Sequence, residues 1–412
     1  MRVRRPLRMR ARNRYGTRRL KSAVLAASGS VLVAAASLWA SPAAPQETAS
    51  AEHVSARTAL GRRIFFDATL SEPHGTSCAS CHDPAHAYAG DHGSGAGVPA
   101  GSRPGTLARR STPSLYYLRY VPALSFHVDE DDRRSHDPQP YGGYFWDGRS
   151  DSIAELVRQP LLNAREMNNR DIVQIADKLR RAPYARAFEA EFPGALDAPE
   201  EAVKALGLAL ESFLTSPPMA PFTSKFDDYL RRQATLTAQE AEGLRLFKDP
   251  RRGNCADCHT VRDASPVPEL SLFSDYGYEA VGAPRNARLH VRDEDRGLCE
   301  RTDTTKPSSE TRWCASFRTP SLRNVALRPS FMHNGAFTNL RDVVRFYATR
   351  STNPEQWYRS GVPFDDTAEA YRSLVNTAKV PYNRHPGDPP ALNDDEIDAI
   401  VAFLRTLTDR QR

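Results

Sequence analysis

Once its first 51 residues are set aside, this 412-residue sequence is short of methionine, cysteine and net positive charge, and each shortage excludes something. Two of the five methionines lie in the first ten residues, so Met167, Met219 and Met332 are the only thioethers left to the folded chain. Of six cysteines, four sit in two closely spaced pairs, and only Cys299 and Cys314 remain for an ordinary disulfide. Acids are absent from residues 1–21, which hold ten Lys or Arg, and an apolar run follows from Ala23 to Ala40. That layout is a secretory leader, with candidate ends near Ala40 and Ala51. Without residues 1–51 the chain keeps 46 basic against 49 acidic residues, so the formal charge of +6 belongs to the leader and a nucleic-acid partner is excluded. The apolar run, 18 residues long, is at the lower limit for a bilayer span. Membrane attachment is therefore expected only if the leader stays uncleaved, and the expected location is the periplasm. Export also permits a disulfide between Cys299 and Cys314, closing an exposed loop rich in Thr, Ser, Asp and Glu, over the alternative of two free thiols.

What is present is a pentapeptide that occurs twice: Cys78, Ala79, Ser80, Cys81, His82, and Cys255, Ala256, Asp257, Cys258, His259. C-x-x-C-H is the attachment site of a c-type haem, in which two thiols add across the vinyl groups and the histidine becomes the first axial ligand of the iron. Six cysteines and eleven histidines placed at random would give ~0.002 such motifs. A redox disulfide or half of a zinc site does not require the following histidine, and both copies have it.

The surroundings repeat as well. Leu60, Ile64 and Phe65 fall at helical spacing before a turn-rich stretch leads into the first motif. Before the second, Thr237 and Glu240 make a capping box, Ala241, Leu244 and Phe247 an apolar stripe, and Asp249-Pro250 a stop. The two ligand histidines are 177 residues apart, so the duplication is of domain size. Residues 83–110 and 126–144 read as loops, the latter with an acidic cluster at Asp129–Asp132, and 150–181 and 199–214 as helical. A linker is expected at 216–220, where Pro217-Pro218 precedes Phe222. The chain closes on an amphipathic helix capped by Asn393 and Glu396, with Ile397, Ile400, Val401, Leu404 and Leu407 on one face. The expected class is all-α with long loops: a leader over 1–51, a first cytochrome c-like haem domain over 52–218, and a second over 219–412.

With these features in order, the chain resembles the bacterial dihaem cytochrome c peroxidase and MauG family over everything after residue 55. The stretches that carry the likeness are Phe65–Ser71, Ser111–Leu115, Phe145-Trp146-Asp147-Gly148-Arg149, Arg318–Val325 and Phe331–Gly335, besides the two haem motifs. The resemblance implies that the haem on His82 is peroxidatic and that the haem on His259 feeds it electrons. It implies that Trp146 relays charge between them and that Glu166 is the acid and base of O–O cleavage. The chemistry agrees, since peroxide must lose a proton from its near oxygen and gain one on its leaving oxygen. The bland readings are a core tryptophan and a solvated helical glutamate.

Three departures from the family pattern stand out. Leu156 occupies a position usually held by Gln, although Pro160 keeps its place. Ser111 replaces an Asn, and Arg328-Pro329-Ser330 replaces a Thr-x-Pro, where the resemblance implies a calcium ion between the haems. The helix Leu340–Tyr347 carries no methionine, whereas Tyr347 shares its apolar face with Leu340, Val343 and Val344. Tyr347 stands where MauG-type members carry an axial tyrosine; the alternative is a core tyrosine with Met332 as ligand of the second iron. His86 and His92, in the loop after the first motif, could cap the first iron at rest, and His333 and Asn334 are read as organising a turn near the second.

The expected function is reduction of hydrogen peroxide at the first haem, with electrons from a small cytochrome c or a cupredoxin. Two alternatives remain: a MauG-like enzyme that uses oxidised haems to modify aromatic residues of a partner protein, and a dihaem electron-transfer cytochrome with no peroxide chemistry.

Overall fold

The computed structural model describes residues 46–128, 137–289, 294–301, 310–359 and 361–410, with side chains from residue 56 onward. Residues 1–45 of the expected leader and the acidic cluster at 129–132 lie outside the described residues, and the end of the leader expected near Ala51 falls inside the helix Gln46–Phe65.

Two hydrophobic cores are built on the same plan. In the first, the helix Gln46–Phe65 packs on the helix Pro199–Leu214. Pro199 sits at the first helical position and Glu200 and Glu201 occupy the first turn, a start favoured by the fixed φ of proline and by the helix dipole. In the second, the helix Ala238–Lys248 packs on the closing helix Asp394–Arg405. Both of these helices open with the reciprocal capping boxes expected at Thr237/Glu240 and Asn393/Glu396. At each crossing a glycine faces the partner backbone. A Cβ on Gly61 would lie 1.9 Å from the carbonyl oxygen of Ala209, and one on Gly243 would lie 2.0 Å from that of Ala399. Four residues later each helix supplies a phenylalanine to the facing one, Phe65 on Phe213 with ring centroids 5.4 Å apart and Phe247 on Phe403 at 5.3 Å. The crossing of first and last helices is thus repeated residue for residue.

Three expectations are refined. The helical stretch expected over 150–181 is two helices, Ile153–Leu162 and Ile172–Arg181. Pro160 has no N–H to donate and the first helix ends two residues later; the second restarts on Asp171, which caps it by accepting from Gln174 N. The intervening loop, with Asn168 at φ 57°, holds Glu166. The fold is mainly helical, consistent with the expected all-α class, and adds two short antiparallel pairs, Ser125–His127 with Gln139–Tyr141 and Tyr278–Glu279 with Phe317–Arg318. Finally, the stretch expected as a linker, 216–220, exposes Pro217 and Pro218 but is tethered to the fold. Pro217–Met219 is a short 3-10 turn, Met219 is buried and its carbonyl accepts from Tyr117 N, and Phe222 N donates to the Tyr117 hydroxyl. Cys299 and Cys314 form the expected disulfide.

Candidate active site

Each C-x-x-C-H motif ends on a histidine whose ring is fixed from behind. His82 Nδ1 lies 2.9 Å from the carbonyl oxygen of Tyr88, and His259 Nδ1 lies 3.0 Å from that of Phe273. A carbonyl oxygen only accepts, so Nδ1 carries the proton in both rings and Nε2 keeps its lone pair free. Burial pushes each imidazole down to about 4, so both are neutral near pH 7, the form that ligates iron. The Ser111–Leu115 and Arg318–Leu322 segments supply the fixation. Ser114 Oγ donates to Ala87 O at 2.6 Å and Ser321 Oγ to Leu272 O at 2.6 Å, pinning in each half the residue just before the one that holds the histidine. Neither cysteine pair is joined in a disulfide. Burial pushes Cys78, Cys81 and Cys255 up to about 12 and raises Cys258 as well. Among the described residues no group of three His, Cys, Asp or Glu is placed to hold a metal ion.

The second motif faces a cavity with ≈ 1400 Å³ of empty space, its open mouth included. Cys255, Cys258 and His259 line one side; Tyr347 and Met332, the two candidate ligands, line it too. Tyr347 comes from the helix Leu340–Thr349, whose Asn339 cap accepts from Arg341 N. Its phenol is raised by burial and lowered in part by Arg350. Met332 sits in a turn with φ 66°, its carbonyl taking the Ser111 hydroxyl at 2.6 Å. A neutral histidine, two thiols and an apolar cavity of this kind fit a covalently attached haem.

Trp146 is buried and borders the same cavity. Its indole Nε1–H donates to Ser111 O at 2.8 Å and its own carbonyl accepts from Arg318 N at 2.8 Å. It is therefore held between the two duplicated segments, and Pro113, two residues beyond Ser111, reaches the ring of His82.

Glu166 is half-buried in its loop, anchored by Glu166 O accepting from Ser102 N and by Asn163 Nδ2 donating to Oε1 at 2.7 Å. Burial raises its carboxyl above the ordinary range, while Arg149 and Asn163 pull the other way. Its charge is felt at Cys81, which places it within Coulombic reach of the first motif. Asn163, Arg149 and Gln159 are partners that sequence reasoning missed. Arg149 lies over the Phe145 ring at 3.6 Å, pairs with Asp147 at 2.8 Å and donates to Gln159 Oε1 at 2.7 Å. Their only signal was proximity in sequence to Trp146 and Glu166.

The two loop histidines differ. His86 is exposed and tied to Asp83 at 2.7 Å, whereas His92 Nδ1 lies 2.9 Å from Ala100 O, an oxygen also 4.0 Å from Cys81 Sγ. His333 and Asn334 do organise a turn, with Gly335 N donating to Met332 O and Asn334 Oδ1 accepting from Ala336 N.

A family model described as di-haem cytochrome c peroxidase matches residues 55–235. Methylamine utilization protein MauG of Paracoccus denitrificans is 36% identical over 373 residues, covering 86% of this chain and 89% of its own. Cytochrome c551 peroxidase of Pseudomonas aeruginosa is 27% identical over 289 residues, 69% of each chain. Among solved structures, the diheme peroxidase BthA from Burkholderia thailandensis superposes with a TM-score of 0.81 at 48% identity, over 86% of each chain.

Proposed function

The chain belongs to the di-haem cytochrome c peroxidase and MauG family, and from that premise we propose that it is an exported enzyme that reduces hydrogen peroxide at the site of His82 with electrons delivered through the site of His259. The family implies two c-type haems. Cys78, Cys81 and His82 would hold one and Cys255, Cys258 and His259 the other, the two halves over 52–218 and 219–412 each carrying one. When bound, the haems would supply iron that exchanges electrons and, at the first site, iron that could take peroxide.

The observation that carries the reading is a half-buried Glu166 with a raised carboxyl beside the first motif, together with a buried Trp146 against the second cavity. Glu166 takes the proton from the near oxygen of peroxide and returns it to the leaving oxygen, so that two electrons and two protons convert one peroxide to two waters. Asn163 holds the carboxylate in place through its amide, and Arg149 sets how readily it takes the proton. Trp146 is the side chain through which charge would pass between the halves, and its N–H faces a carbonyl that cannot take up a proton. The proposed electron donor is a small cytochrome c or a cupredoxin, and the proposed location is the periplasm. The test is stopped-flow mixing of the reduced holoprotein with peroxide. Oxidation of both haems within one turnover, slowed at the second haem by Trp146→Phe, is expected. Absence of any reaction would leave only an electron-transfer cytochrome.

A second reading rests on Tyr347, which lines the second cavity, as Met332 does. A tyrosine ligand favours oxidised iron, which suits an enzyme that draws electrons from aromatic side chains of a partner protein. Tyr347→Phe is expected to change the second-haem absorption spectrum and Met332→Leu to leave it unchanged; the reverse result would make Met332 the ligand. Calcium between the haems remains part of the proposal. It would draw its oxygen ligands from the backbone near Ser111 and Arg328–Ser330.

A further inference from the structure

Two arginines line the cavity beside His259, and among the described residues neither makes an ion pair. Arg318 and Arg328 are 9% and 8% exposed. Arg318 Nε donates to Phe145 O at 3.3 Å, and Arg328 Nη2 donates to Thr112 O at 3.3 Å; both bonds are long. Arg328 Nε has no partner among the described residues. Other buried arginines are better served: Arg110 pairs with Asp147 and Asp295 at 2.6 Å, Arg323 pairs with Asp227 at 3.0 Å, and Arg350, without an acid among the described residues, donates to two carbonyl oxygens, those of Val281 and Asn376. Burial without an acid lowers Arg318 and pushes Arg328 down to about 10, the sign of a charge kept out of water with nothing to offset it. A buried, unpaired guanidinium is costly, and proteins keep one where a partner arrives from outside the chain.

We propose that Arg318 and Arg328 are the seats of the two carboxylates of the second haem, and that Arg328 thereby places an ion pair against the face of Trp146. Haem c carries two propionates, and a guanidinium fork matches a carboxylate with two parallel hydrogen bonds. The number of unpaired cations in the cavity equals the number of acids the cofactor brings. Arg328 lies 5.7 Å from the Trp146 ring centroid, so the acid it receives lies beside the indole. Arg318 is joined to the same residue through its backbone N–H on Trp146 O. Lys379, the other cation lining the cavity, is already engaged with Asp257 at 3.2 Å and Glu279 at 3.8 Å. The inference rests on a haem at His259 and not on peroxide chemistry, so it stands or falls in the resting protein.

The test is a redox titration of the holoprotein, following each haem separately. Arg328→Gln removes the charge and keeps a hydrogen-bonding side chain. It is expected to shift the reduction equilibrium of the second haem toward the oxidised form by about tenfold, about 59 mV for one electron. The first haem should move far less, and Arg328→Lys should restore most of the shift. A second-haem potential unchanged in Arg328→Gln, or an equal shift at both haems, would overturn the assignment. The parent protein gives an independent readout. The resonance Raman propionate-bending band is expected to shift in D2O, because the carboxylate is bonded to exchangeable guanidinium protons; an unshifted band would also overturn it. Loss of peroxide turnover with these results intact would count against the proposed reaction and not against the seats.

Discussion

A Glu166→Gln variant is expected to reduce peroxide about 10²–10⁴-fold more slowly than the parent, the usual weight of a positioned proton carrier. The substitution is nearly isosteric. Asn163 Nδ2 donates to Oε1, and the amide oxygen of glutamine accepts the same bond, so the loop keeps its shape and only proton exchange is lost. The pH profile carries the same signature. Because burial raises the Glu166 carboxyl, the parent should lose turnover as pH falls through a value above the ordinary glutamate range, where the protonated acid can no longer take a proton from peroxide. That acid limb should be missing from the variant. Equal turnover in the two proteins would remove Glu166 from the mechanism.

The largest expected loss of stability comes from Arg323. Its guanidinium and the Asp227 carboxylate are both fully buried and meet fork to fork, at 3.1 Å and 3.0 Å. Two further donors go to Ser271 O and Pro268 O, each at 3.0 Å. Three aromatic rings surround it: Phe222 at 4.5 Å, Tyr117 at 4.9 Å and Phe273 at 5.9 Å. Tyr117 is buried between Leu115 and Leu118 of the first core and Phe273 belongs to the second, so one cation joins side chains from both halves. Arg323→Met leaves a buried carboxylate with only Ser224 for company and is expected to cost about 3–5 kcal/mol in denaturant unfolding of the holoprotein. Adding Asp227→Asn should recover part of the loss. A single-variant cost under about 1 kcal/mol would show the pair to be dispensable.

What the sequence made legible is mostly local. Capping boxes at Thr237 and Asn393 and the placement of Tyr347 on an apolar helix face are encoded within a few residues, where propensity and periodicity operate. The disulfide followed from counting cysteines. Glu166 came from the family resemblance, but its loop was hidden, because the arrest of the preceding helix depends on where Pro160 falls within it. The contacts that assemble the site join distant segments, such as Ser111 with Met332, 221 residues apart, or Arg328 with Thr112, 216 apart. No local pattern announces them. Arg328 looked like a departure from a family pattern; only its burial shows it to be a charge awaiting a counterion.

The paired serine and carbonyl tethers behind the two histidines also bear on chain length. From His82 to Pro113 the chain runs 31 residues, and from His259 to Pro320 it runs 61, yet both ends of both stretches are pinned alike. Doubling a closed loop costs only about 0.6 kcal/mol of chain entropy. The longer stretch contains the Cys299–Cys314 crosslink, and closing a loop of that size restricts the unfolded chain by about 3 kcal/mol. The insertion thus carries its own entropic compensation, and the second half can hold thirty additional residues without loosening the histidine at its head.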